Sequence, residues 1–219
     1  GVEDPGSPIY LDENIISQTA AALQLLAIEY FRMSDQVRDI LKKTIELVKN
    51  EEVKSIDGLK ENGEQVERLG KCITEYLAAL FSSGSLTEQQ AAQTASLMCV
   101  LSDVERMGTL SVEMAECMLE RSDRKYKYTP EAMDELQKSL KVLNKMFCDS
   151  LKALQGDDGI EPGKMMKRKD KLLDLDIKMR KAHIERVNKG KCKASLTAPF
   201  TNILHLIDRM GNSCINLAD

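Results

Sequence analysis

Residues 103–116 read DVERMGTLSVEMAE, and residues 206–219 read LIDRMGNSCINLAD. Laid over each other at an offset of 103 residues, Glu105 meets Asp208, Arg106 meets Arg209, Met107 meets Met210 and Gly108 meets Gly211. Further along, Met114 meets Leu217 and Ala115 meets Ala218. The stripe Val100, Val104, Met107, Ser111, Met114 maps onto Ile203, Ile207, Met210, Cys214, Leu217. Steps of three and four residues place each stripe on one face of a helix. The same helix is therefore written twice, and a repeat of this kind fixes the architecture before any other motif is read.

Working back from each copy, two more helical stripes precede it. In the first half, Leu23, Leu26, Tyr30, Met33, Val37 and Ile40 form one, within a helix expected to start near Asp12 and fade near Asn50. Leu59, Val66, Leu69, Ile73, Leu77 and Leu80 form the next. Thr87 and Gln90 have the spacing of a capping box and open the third helix, expected to run to about Arg124. In the second half, Thr129-Pro130 places an N-cap before a proline at the first helical position. Met133, Leu136, Leu140, Leu143 and Phe147 follow, then Leu172, Leu175 and Met179, then the helix that begins near Thr197. No segment alternates with a period of two, so no strands are expected. The fold class is all-α: two repeated antiparallel three-helix bundles, over residues 10–124 and 125–219. Residues 1–9 are small, polar and Pro/Gly-rich and read as a linker or chain edge.

Composition agrees with helices. Hydrophobic residues make up 42% of the 219, aromatics only 4%, and Trp is absent. The net charge of −4 comes from acidic and basic residues mixed along the chain, without the basic field of a nucleic-acid binder. No apolar run approaches the roughly 18 residues of a membrane span. The six cysteines are scattered and form no C-x-x-C pair, which favours a reduced setting over a disulfide framework. No phosphate-cradling Gly-rich loop, G-x-S-x-G or His/Cys cluster stands out, so no catalytic residues are assigned and an enzyme is not expected. His183 and His205 lack a companion at ligand spacing and read as packing or surface residues.

The repeated motif has three readings. Glu105-Arg106 and Asp208-Arg209 serve first as ion pairs between packed helices, with a face shared with a partner and a metal site as rivals. Glycine inside a helix costs roughly 1 kcal/mol relative to alanine. Its presence at both Gly108 and Gly211 predicts a close helix approach that a Cβ would block. The basic run Lys164 to Lys171 reads as a solvated helix start, with an anionic membrane surface as the rival.

The stretches Val104–Gly108 and Ile207–Gly211 resemble the PhoU family, whose repeats carry Leu-Glu-Arg-Ile-Gly-Asp near the end of each third helix. Arg180, His183-Ile184-Glu185-Arg186 and Gly190-Lys191-Cys192 resemble the PhoU-like cytoplasmic tail of bacterial Na+/phosphate cotransporters. So does the opening Tyr10-Leu11-Asp12-Glu13, followed by a long helix with Arg32-Met33. The resemblance implies two three-helix bundles side by side and a regulatory role in sodium-dependent phosphate transport without catalysis. It implies a place on the cytoplasmic side of the inner membrane and a transporter membrane domain as partner, on the same polypeptide. A homodimer is a further candidate partnership. The missing initiator Met fits an excised piece of a longer protein. A free-standing adaptor of phosphate signalling and a carboxylate metal-binding protein are the alternatives. Some family members hold iron or zinc clusters through Glu/Asp-x-x-x-Asp pairs. Thr109 and Asn212 stand at the family's Asp positions here, so no cofactor is expected. Were iron, zinc or another divalent metal to bind, Glu105 and Asp208 would be the first ligands and Glu67 and Asp170 the next.

Overall fold

Thr19–Asn50 forms the first long helix, α1, and its buried face carries Leu26, Tyr30, Met33, Val37, Ile40 and Leu41. The architecture is that of a computed structural model, which describes residues 4–120, 125–157, 159–161 and 163–218. α2 spans Ile56–Ser82, α3 Glu88–Leu119, α4 Pro130–Leu154, α5 Lys164–Asn188 and α6 Thr197–Ala218. Three short 3-10 turns precede α1, α2 and α6, and no strand forms among the described residues. The protein is all-helical. The caps read from the sequence are in place. Thr87 and Gln90 exchange side-chain and backbone hydrogen bonds at 3.0 and 3.1 Å, and the Thr129 hydroxyl accepts from the Ala132 N–H. The expected run of α3 to Arg124, and the boundary between units at 124/125, lie outside the described residues.

Four helices form the centre. α1 packs on α3, α3 on α6, α6 on α4, and α4 on α1. α2 lies outside against α1 and α3, and α5 lies outside against α4 and α6. At the α3–α6 seam the helices are antiparallel. The Ser111 hydroxyl there donates to the Met107 carbonyl at 2.6 Å and lies 3.7 Å from the Met210 sulfur. Met107 and Met210 are both fully buried. The repeated methionine therefore joins the two units through a core continuous from one half to the other.

One expectation is corrected. α1 begins at Thr19, not near Asp12, because the preceding segment folds back over α1 and α2 instead of entering the helix. Residues 4–9 are therefore not a free linker. Fully buried Glu29 accepts the backbone N–H groups of Ile9 and Tyr10 through one carboxylate oxygen. Its other oxygen pairs with the Arg32 Nε at 2.7 Å. The Arg32 Nη2 donates to the Ser7 carbonyl, Gln36 donates to the Pro5 carbonyl, and the Tyr76 hydroxyl donates to the Asp12 carbonyl. Both carboxylate oxygens of Glu29 accept from donors, one of them a guanidinium, which is what permits a carboxylate to be buried.

Candidate functional site

The two copies of the acidic-Arg-Met-Gly motif sit on α3 and α6, and each faces the outer helix of its own half. The helical period sorts its members. Met107 and Met210 turn into the seam, Arg106 and Arg209 turn to solvent, and Glu105 and Asp208 are half-buried between. Neither Arg106 nor Arg209 has a carboxylate within 4.0 Å among the described residues. Of the ion pairing expected of these motif residues between packed helices, the described residues show one case, Asp208 of α6 with Lys169 of α5, and the arginines take no part in it.

The two acidic residues meet different surroundings. Glu105 lies over Gly70 of α2, so closely that a Cβ at Gly70 would overlap its carboxylate. Burial raises the Glu105 pKa above the ordinary 4.5, and the charge of Glu67 raises it further. Glu67 itself is exposed. In the second half, the Lys169 ammonium donates to Asp208 at 2.9 Å. Asp170 beside it is exposed. The residue one repeat before Lys169 is Val66, so the first copy has no such cation at that place.

The glycines also differ. A Cβ at Gly211 would stand 2.9 Å from the Leu172 Cδ2 and 3.3 Å from the Lys169 Nζ, a close approach of α6 to α5. At Gly108 the nearest atom would be a Val37 methyl at 3.5 Å, an ordinary contact. The close approach expected at both glycines holds for Gly211 and fails for Gly108. In the first half the tight place is Gly70 instead, one helix over.

These residues do not fit a multinuclear metal cluster. Among the described residues no three His, Cys, Asp or Glu side chains come together as a ligand set. Thr109 and Asn212, where carboxylates would be needed, are exposed neutral groups. Asp208 is already neutralised by a protein cation. Glu105 with Glu67 offers two carboxylates, fewer than the three or four protein ligands of a transition-metal site.

The remaining sequence candidates fall elsewhere. His183 is buried, its ring stacked on Phe200 at 4.7 Å, with Nε2 2.8 Å from the Thr197 hydroxyl. Burial, then the nearby Arg186, lowers its pKa. His205 is exposed. The basic run is split: Arg168 pairs with Asp149 of α4 and Lys169 with Asp208, while Lys164, Lys167 and Lys171 face solvent. Sequence reading placed Lys169 inside a solvated run and passed over Gly70. Aligning α2 with α5 at the 103-residue offset sets Val66 against Lys169 and Gly70 against Leu173, which would have flagged both.

Residues 31–118 match the family model described as PhoU domain. A phosphate-specific transport system accessory protein, PhoU homolog 1 of Thermotoga maritima, is 24% identical over 197 residues, covering 90% of this chain and 84% of that protein. No solved structure matches this chain significantly.

Proposed function

We propose, from the premise that this chain is PhoU-like, that it is a regulatory module of phosphate uptake which works by binding a transporter and catalyses no reaction. The match over 31–118, together with the recurrence of its acidic-Arg-Met-Gly segment at 208–211, is the observation that most supports this reading. The motif supplies a matched pair of solvent-facing arginines, Arg106 and Arg209, one on each unit. Two exposed guanidiniums held on rigid helices are suited to acidic groups on a partner. Among the described residues no helix is long and apolar enough to cross a membrane, so the module would act on a membrane domain instead of supplying one.

The more specific reading is the cytoplasmic domain of a Na+/phosphate cotransporter, supported by the resemblance of residues 180–219 and of the opening at Tyr10 to that tail. The free-standing adaptor has one observation in its favour. The Thermotoga protein is matched over 84% of its length, so it is little longer than this chain. The iron or zinc of some relatives is given no role here. Elemental analysis of the purified protein should return less than about one metal per chain; a stoichiometric metal would reverse that assignment.

An antibody raised against this chain separates the readings. A fused domain appears on a blot as a much larger, detergent-extracted band, and an adaptor as a band near the chain's own 24.5 kDa. Deleting the coding segment and measuring phosphate uptake with and without sodium tests the function itself. Unchanged uptake and an unchanged response to phosphate starvation would reject it.

A further inference from the structure

α5 carries an apolar ridge that its own fold does not cover. Met166 is 52% exposed, Leu173 50%, Ile177 45% and Ile184 58%. One repeat earlier, the same places on α2 are Gly63, Gly70, Thr74 and Phe81. There the glycines let α3 ride close, with Val112 above Gly63 and Glu105 above Gly70. The repeat can thus be built without the ridge, and only the second half has large apolar side chains at three of these four positions in place of small or polar ones.

The spacing of the ridge is regular. Met166, Asp170, Leu173, Ile177, Arg180 and Ile184 alternate steps of four and three, the seam of a two-stranded coiled coil. The seam is also self-complementary when reversed. Turn a second α5 end for end about Leu175, and Met166 faces Ile184, Asp170 faces Arg180, and Leu173 faces Ile177. Each layer is apolar on apolar or acid on base, and each occurs twice, as a two-fold axis requires. Arg180 is pre-positioned for this. Its Nε donates to Asp176 at 2.9 Å on one side, which fixes the guanidinium while leaving Nη1 for a second carboxylate. We infer that two copies of this chain associate through α5, paired antiparallel across a two-fold axis at Leu175.

The charges within the seam favour a second copy over an anionic membrane: Asp170 lies in line with the apolar ridge, where anionic lipid would repel it and a reversed copy sets Arg180 against it. Asp174 and Glu185 lie beside the ridge among exposed Lys167, Lys171, Lys178 and Lys181, and two further cations near its start, Arg168 and Lys169, are held by Asp149 and Asp208. The flanks also limit affinity. Asp174 would come near its own mate at the axis, its charge partly offset by Lys178 at 3.0 Å. A single helix pair lies at the small end of specific interfaces, so half-dissociation on the order of 10 µM is expected.

Sedimentation velocity over a range of protein concentrations tests this. Wild type should pass from monomer to dimer. Asp170→Arg and Arg180→Asp, each at an exposed or half-exposed position, should each raise the half-dissociation concentration at least about tenfold by setting like charges in one layer. The double variant D170R/R180D should restore it, while circular dichroism stays unchanged throughout. A wild type that stays monomeric overturns the inference, as do single variants that dimerise normally or a double variant that does not recover. Co-sedimentation with anionic phosphatidylserine vesicles in place of self-association would assign the ridge to a membrane and overturn it equally.

Discussion

Glu105 shows how one missing cation changes the behaviour of a duplicated residue. Its carboxyl sits over Gly70 with Glu67 nearby and no ammonium of the kind Lys169 gives Asp208. With its folded pKa raised, the native state holds the proton to higher pH than the unfolded chain does. Its contribution is therefore favourable below the unfolded value and is lost as pH rises through the folded one. Glu105→Gln should stabilise the protein by about 0.5 kcal/mol at about pH 7, and the gain should vanish by about pH 4. Denaturant melts at the two pH values measure it; an equal effect at both would show that the charge is not responsible. The motif glycines give a second contrast. Gly108→Ala adds a methyl at ordinary contact distance and should gain up to about 1 kcal/mol of helix propensity. Gly211→Ala must displace Leu172 and Lys169, so its melting temperature should not rise.

At the scale of elements, what could be read in the sequence was whatever is local to one helix. Stripes, the Thr87–Gln90 box and the Thr129-Pro130 start depend on neighbours within a turn, and all are present in the structure. What could not be read was which side chain on one helix meets which on another. The basic run is the clearest case: period alone cannot show that Arg168 meets Asp149 across the α4–α5 contact while Lys167 beside it faces water. The same holds for Glu29. Beside Arg32 on its own helix, its partners are backbone groups 19 and 20 residues away in a segment with no helical period. The Asp149–Arg168 pair carries a prediction. Both side chains are largely buried, at 9% and 13% exposure. Removing one partner strands the other, so Asp149→Ala should cost about 3–5 kcal/mol. The double replacement D149L/R168M should recover most of that, and calorimetry of the three variants decides it.

The whole molecule is one body because its repeats share a seam. Met107 and Met210 occupy equivalent places in the two units and are both fully buried where α3 and α6 meet. Met210→Ala leaves a cavity there and should cost about 2–4 kcal/mol. Because the core runs through the seam, wild type should melt in a single calorimetric transition; two resolved transitions would mean that the units fold separately. The strap over α1 and α2 has a mechanical meaning as well. Its fixed points lie at Arg68, Gln36, Arg32, Glu29 and Tyr76, in the α1–α2 half. Tension applied at residue 4 would thus be met by a row of anchors along two helices before it reached Thr19, and its first stop would be the exposed Asp4–Arg68 pair, the most easily broken of them.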